Sequence, residues 1–254
     1  MPVSLEPVTH GEPRTAIVTG AGRGIGAAVA ARLAGHGHRV AVVDKDADVA
    51  ASTAEEIGGL AITADVADES AATTAVAAAA GALGPPTILV NNAGFARDQP
   101  IDDMPADDWD AVVDVHLRGA FLFSRAVSGH MRKAGWGRIV CISSISALGH
   151  PNRVNYSAAK AGLNGFTQAL AVELGPAGVT VNAVAPGFIV SDMTRRTAKR
   201  LGRTFAEHQR LVAETLPVRR VGVPEDIAHA VEYLTSEGAG FVTGQILHVA
   251  GAPR

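Results

Sequence analysis

Tyr156 and Lys160 stand one helical turn apart, so in a helix both side chains project from the same face. A phenol and an amine in that arrangement suit proton transfer to and from a substrate oxygen. Because a phenol ionises near pH 10 in water, transfer near neutrality needs its anion stabilised, and a neighbouring cation does that. A Tyr-x-x-x-Lys pair alone is weak evidence, since the same spacing is common on helix surfaces. Here it follows a serine pair, Ser143 and Ser144, at the end of the apolar run Arg138 to Ile142. Ser144 supplies the third group: a hydroxyl able to hydrogen-bond a carbonyl oxygen and orient it. The set Ser144, Tyr156 and Lys160 reads as a site for interconverting a secondary alcohol and a ketone.

That chemistry needs a hydride carrier, and the N-terminal part offers a place for one. A β-branched run ending at Thr19 passes into Gly20, Ala21, Gly22, Arg23, Gly24, Ile25 and Gly26 and then into an Ala-rich helical segment. Glycines allow tight turning and close backbone approach, while the helix N-terminus offers unpaired N–H groups to a pyrophosphate. Asp44 ends the next run, where a carboxylate accepts hydrogen bonds from both hydroxyls of an adenosine ribose. This favours NAD(H) over NADP(H): a 2′-phosphate would meet a like charge, worth about 4 kcal/mol at about 4 Å and an effective dielectric near 20. Lys45 and Arg23 would offset part of that cost, and Asp44 also suits a turn or helix cap. The positive charge of an oxidised nicotinamide would add to that of Lys160 beside the phenol.

Positioning these groups takes alternating strands and helices. Short β-branched runs begin at Thr15, Arg39, Leu60, Thr87, Arg138, Val179 and Gln245, separated by segments long enough for crossover helices. Nearly continuous apolar character fits strands covered on both faces. The expectation is a single-domain α/β fold of the Rossmann type, a doubly wound parallel sheet of about seven strands with helices on both faces. Asp107, Pro224, Glu225 and Asp226 mark helix starts, and Gly35 and Gly175 mark stops. Residues 1–13 read as a flexible extension and 14–254 as the domain. Within it, 188–219 lacks a strand signal, carries many Arg and Lys, and spaces Leu201, Phe205 and Val212 as amphipathic helices would. Because it follows a strand's C-terminal end, it is expected to cover the substrate, with a solvated helix pair as the plainer reading.

Composition narrows the partners. A formal net charge of -3 gives no polyanion-binding signature, so the expectation is small molecules, with no nucleic acid and no membrane. The most apolar stretch, Ala71 to Leu83, is too short to span a bilayer. The N-terminus does not read as a secretory signal, and the single cysteine, Cys141, rules out an internal disulfide framework; both fit a cytoplasmic protein. Cys141 lies in an apolar strand and reads as a buried small hydrophobe. The nine histidines show no metal-ligand spacing, so no metal is expected.

As a set, the TGAGRGIG turn, Asp65-Val66, the NNAG run from Asn91 to Gly94, the Ser/Tyr/Lys group and Pro186-Gly187 resemble the short-chain dehydrogenase/reductase family, specifically the branch that includes β-ketoacyl carrier-protein reductases. The resemblance runs from Thr15 to Gly251. It implies that Asp65 and Val66 contact adenine, that Asn92, Ala93 and Gly94 border the cofactor, and that Lys160 binds the nicotinamide ribose. It further implies that Ile189 with Ser191 holds the carboxamide side, and that Pro186 and Gly187 belong to the cofactor site. It also implies a homotetramer built partly through helices containing Trp109 to Met131 and Tyr156 to Leu174. Two positions depart from the family pattern. His116 stands where the family has an Asn that helps hold a relay water; it either holds that water or fills a core gap. Ser144 lies nearer Tyr156 than in many relatives, and Ser143 has the commoner separation; Ser144 is chosen as the second position of Ile-Ser-Ser. The substrate is a ketone or alcohol, or an acyl thioester. The cluster Arg195, Arg196, Lys199, Arg200 and Arg203 suits an acidic carrier or CoA phosphates, whereas Ala177, where carrier-protein reductases commonly have Arg, and Asp44 point to an NAD-linked alcohol, hydroxyacyl or sugar dehydrogenase. A nucleotide-binding redox sensor without turnover is the alternative from another class, and a purely structural subunit is a third.

Overall fold

The structure, a computed structural model, describes residues 12–253. The extension expected over 1–13 therefore lies almost wholly outside the described residues. Every strand-forming run pairs in one parallel sheet, ordered β3-β2-β1-β4-β5-β6-β7. The strands are β1 (Thr15–Thr19), β2 (Arg39–Asp44), β3 (Leu60–Thr63), β4 (Pro86–Asn91), β5 (Gly137–Ile142), β6 (Val179–Pro186) and β7 (Ile246–Val249). Between them run α1 (Gly24–Gly35), α2 (Ala47–Ile57), α3 (Glu69–Leu83), α4 (Ala106–Val113), α5 (Gly119–Ala134) and α6 (Val154–Leu174). After β6 come α7 (Asp192–Arg200), α8 (Phe205–Thr215) and α9 (Pro224–Thr235).

Strand periodicity divides the core in two. Ile17, Leu89, Ile139 and Val181 face one layer, where they pack on Val76 of α3, Phe123 and Met131 of α5 and Leu163 of α6. Their neighbours Val18, Val90, Val140 and Val184 face the other, against Val29 and Leu33 of α1 and Ile227 and Leu234 of α9. Alternation within one strand thus serves two apolar layers, which is why the runs carry almost no polar residues. Ala71 to Leu83 lies within α3, and Cys141 is buried in β5, where burial raises its thiol pKa. Among the described residues no helix is long and apolar enough to cross a membrane.

The strand order reverses between β1 and β4, the place in such sheets where a crevice opens at the carboxyl ends. Thr19, at the end of β1, ties the two sides together: its Oγ1 accepts from the backbone N–H groups of Asn92 and Ala93, at 3.0 and 3.1 Å. Asp107 falls within the first turn of α4 instead of preceding it, since Pro105 occupies the cap. Between α4 and α5 the chain passes through a π-helical turn, Asp114–Arg118, without breaking direction. Such turns shift the register of one helix face, and this one turns His116 into the interior.

Candidate active site

A cleft of about 730 Å³ opens along the carboxyl ends of the strands, a size ordinary for small-molecule sites. Gly20, Arg23, Gly24, Ile25, Asp44, Asp65, Val66, Asn92, Ala93, Gly94, Pro186, Gly187, Ile189 and Ser191 all line it, together with His116, Ser144, Tyr156 and Lys160. Residues far apart in sequence therefore meet in one place. Gly26 does not line the cleft, a correction to its expected role. It sits beneath the turn, where a Cβ would overlap the Gly20 carbonyl and the Asn92 side chain. Its function is close packing, with Asn92 Nδ2 donating to the carbonyls of Thr19 and Gly20, at 2.9 Å each.

The nucleotide end has the features a pyrophosphate needs. Gly20 has φ of +61°, and a Cβ there would lie 2.7 Å from Ala93 Cα, so the turn is passable only to glycine. The first turn of α1 is not capped by a side chain, which leaves its leading N–H groups directed at the cleft wall. Asp44 both faces the cleft and shapes the turn, since the Gly22 and Asp46 N–H groups donate to its carboxylate at 3.0 and 3.2 Å. Arg23 pairs with Asp46 at 2.8 Å, so this cation already has an anionic partner.

The reacting end is built on β5 and the first turns of α6. The two serines separate cleanly. Ser143 also borders the cleft but is buried, and its hydroxyl is taken up by α6, donating to Asn164 Oδ1 at 2.7 Å with the Lys160 carbonyl at 3.3 Å. Ser144 faces the cleft, and its Oγ accepts from the Ser146 N–H at 3.1 Å. Tyr156 is 7% exposed, and Lys160 lies with Nζ 5.5 Å from its ring centre. Lys160 Nζ also donates to the Ile142 carbonyl at 2.5 Å.

Electrostatics here run against the simple expectation of a cation lowering the phenol. Burial pushes the Tyr156 phenol above its ordinary value, with Asp98 adding to the rise, while a hydrogen bond with Ser144 and the charge of Arg153 oppose it. Lys160, itself buried, is pushed down to about 7 and so carries its full charge only part of the time near neutrality. The protein alone holds the pair poised. A positive charge brought in beside them would lower the phenol pKa.

His116 is buried and its ring stands edge-on to Tyr156, with centres 5.1 Å apart. Burial and the charge of Lys160 hold its pKa well below the ordinary value, so the ring is neutral. Nε2 meets the Phe95 carbonyl at 2.7 Å, while Nδ1 is buried without a partner. Gly94 leaves room for the ring, since a Cβ there would overlap it. A small cavity of about 10 Å³ lies between His116, Lys160, Asn91 and Thr19, at the lower limit for one water.

Three residues at the site carried no sequence signal strong enough to single them out. Asn155 is fully buried; its Oδ1 accepts from the Tyr156 N–H at 2.7 Å and its Nδ2 donates to the Arg97 carbonyl at 3.0 Å. Asp98 and Arg153 form an ion pair at 2.7 Å beside the phenol. Their positions next to the glycine run and the tyrosine were the only available hint. In the segment after β6, α7 folds over the cleft and contributes Asp192 to Thr197 and Arg200 to its wall. Leu201, counted among the apolar spacing there, is half exposed because it caps α7.

A family model described as enoyl-(acyl carrier protein) reductase matches residues 20–251. The short-chain reductase protein NovJ of Streptomyces niveus is 44% identical over 249 residues, covering 96% of this chain and 95% of its own length. A 3-oxoacyl-[acyl-carrier-protein] reductase, FabG of Pseudomonas aeruginosa, is 41% identical over 248 residues, with 94% and 96% covered. An acetoacetyl-CoA reductase of Shinella zoogloeoides is 40% identical over 240 residues, with 94% and 97% covered. Among solved structures, one described as ribose-5-phosphate isomerase from Brucella melitensis 16M superposes with a TM-score of 0.89 at 32% identity, covering 94% of this chain and 92% of the other.

Proposed function

The chain belongs to the short-chain dehydrogenase/reductase family and is an NAD(P)(H)-dependent oxidoreductase acting on CH–OH and C=O groups, and from that premise we propose how its residues divide the work. A bound nicotinamide supplies or accepts the hydride. Tyr156 Oη gives the carbonyl oxygen its proton during reduction and takes it back during oxidation. Ser144 Oγ donates to the same oxygen and orients it. Lys160 holds the ribose and, when charged, favours the tyrosinate. His116, neutral, offers Nδ1 to a water in the small cavity beside Lys160, as acceptor or donor according to whether Nε2 is held by the Phe95 carbonyl or by its N–H, the reading favoured over mere core filling by that unpartnered nitrogen. Asn155 is a positioning residue that fixes the start of α6. The observation carrying the whole is the meeting of Ser144, Tyr156 and Lys160 in the same cleft as the glycine turn.

For the cofactor we favour NAD(H), because Asp44 faces the cleft and Arg23 is engaged by Asp46. Asp65 and Val66 take the adenine, and Ile189 with Ser191 the carboxamide side. The substrate is a ketone or alcohol of small-molecule size or a 3-oxoacyl thioester, under a lid formed by 188–219. Relatives named for acyl thioester reduction support the second class. A homotetramer is supported by apolar side chains left exposed on the expected helices, Trp109, Phe121 and Val172. We place the protein in the cytoplasm. The redox-sensor reading finds no support, since the proton-transfer groups are assembled and the relatives are named as reductases. Fluorescence titration with NADH and NADPH, followed by oxidation of the tighter binder over ketone and 3-oxoacyl thioester panels, tests the reading. Turnover that Tyr156→Phe abolishes while cofactor still binds is the expected result; binding without turnover on any carbonyl would overturn it.

A further inference from the structure

Asp98 is the centre of an ion cluster that joins the cover of the cleft to the reacting tyrosine. Its side chain is only 4% exposed, yet one oxygen, Oδ2, serves two guanidinium groups, Arg153 and Arg200, each at 2.7 Å. The other oxygen, Oδ1, is buried without a partner. Arg153 precedes α6 and is itself largely buried, with Cζ 5.9 Å from the Tyr156 ring centre. Arg200 comes from the last turn of α7, is half exposed, and reaches across the cleft mouth to Asp98. Arg153 also touches Thr197 of α7 at 3.5 Å. The cluster therefore exists in full only while α7 lies over the cleft.

We propose that Asp98, Arg153 and Arg200 form a coupling latch, in which closure of α7 over the substrate makes Tyr156 a better proton acceptor. This rests on the assignment of Tyr156 as the proton-transfer group. With α7 in place, Arg200 neutralises Asp98 and leaves the charge of Arg153 to act on the phenol. With α7 away, Asp98 and Arg153 form a pair of no net charge, and the phenolate loses its support. The unpartnered Oδ1 keeps the latch from being too stable, since a buried acceptor without a donor costs free energy that opening to water returns. Of the other groups around the phenol, those off α7 do not change with the latch: Lys160 lies on the same helix, His116 is neutral, Ser144 is uncharged, and α4 brings the apolar Val112; α7 itself also carries Asp192, Arg195 and Arg196 on the cleft wall, a net positive set of the same sign as Arg200. The direction of each charge is borne by the tyrosine itself, which Arg153 lowers and Asp98 raises.

The test is the pH profile of kcat for alcohol oxidation in the intact enzyme, whose rising limb reports loss of the tyrosine proton. Arg153→Gln should move that limb to higher pH by about one unit, from a unit charge about 6 Å from the ring at intermediate dielectric, and Arg200→Gln by about a few tenths in the same direction, since it acts on the phenol only through Asp98. Asp98→Asn, nearly the same shape without the charge, should move it to lower pH. A purely structural role would lower kcat in all three variants without opposite displacements. Arg200→Gln is half exposed and safe for folding, so an unshifted limb in that variant overturns the latch even if Asp98→Asn fails to fold. Tyr156→Phe separates the two levels: turnover surviving there would overturn the tyrosine assignment itself, whereas its loss together with an unshifted Arg200→Gln limb overturns only the coupling.

Discussion

Replacing Asp44 by Asn should shift the enzyme toward NADPH without unfolding it. The carboxylate accepts from the N–H groups of Gly22 and Asp46 at 3.0 and 3.2 Å, and the amide can keep only one of these as an acceptor. The loss of one such bond costs about 1 kcal/mol of stability. At the ligand, the unscreened repulsion between this charge and a 2′-phosphate is about 4 kcal/mol at about 4 Å, and partial exposure of Asp44 reduces it to about 2. Removing the charge should therefore raise NADPH affinity by roughly 30-fold, and the ratio of NADPH to NADH affinity by roughly 10² once the loss for NADH is included. NADH itself should weaken about fivefold, as charge-assisted bonds to the ribose hydroxyls become neutral ones. Arg23 and Asp46 remain paired, so their joint contribution stays fixed. Paired fluorescence titrations of both nucleotides against parent and variant measure the ratio, and urea unfolding measures the stability term. A ratio unchanged within threefold, or a parent that already binds NADPH more tightly, would refute Asp44 as the ribose reader.

The two serines should part company. Ser144→Ala is expected to lower kcat by about 10² with cofactor affinity kept, while Ser143→Ala keeps turnover and loses about 1 to 2 kcal/mol of stability with its buried hydrogen bonds; steady-state kinetics beside thermal unfolding distinguishes them. Lys160 has a folded pKa of about 7 against an unfolded value near 10.5, so the unfolded chain binds the extra proton between those values and stability rises with pH across that window. Lys160→Met should accordingly be more stable than the parent at pH 7, by a margin that shrinks toward pH 10; a margin independent of pH in urea titrations would count against the buried neutral amine. If the proposed homotetramer forms through these helices, Phe121→Lys combined with Val172→Glu should reduce it to smaller species by sedimentation while leaving the monomer folded, because both side chains are exposed in the single chain; an unchanged sedimentation profile would count against that interface.

The sequence alone was enough for the seven strands and the Rossmann-type layering, and it singled out most of the residues that prove to line the cleft. Strand runs and glycine turns are local signals: alternation, β-branching and the lack of a side chain act on the residues that carry them. Tyr156 and Lys160 were legible for the same reason, since one helical turn fixes their shared face. Only the tertiary structure distinguishes the two serines: both line the cleft, but the Ser143 hydroxyl is engaged by Asn164 of α6, while the Ser144 hydroxyl lies within hydrogen-bond reach of the Tyr156 phenol. It also moved Gly26 from binding to packing, since the Gly20 carbonyl that crowds it belongs to the fold of the turn. Asp98 and Arg200 are distant in sequence, and their meeting was set by how α7 crosses the cleft. The states of Lys160 and Tyr156 came from burial, a quantity that belongs to the packed chain and not to any residue in it.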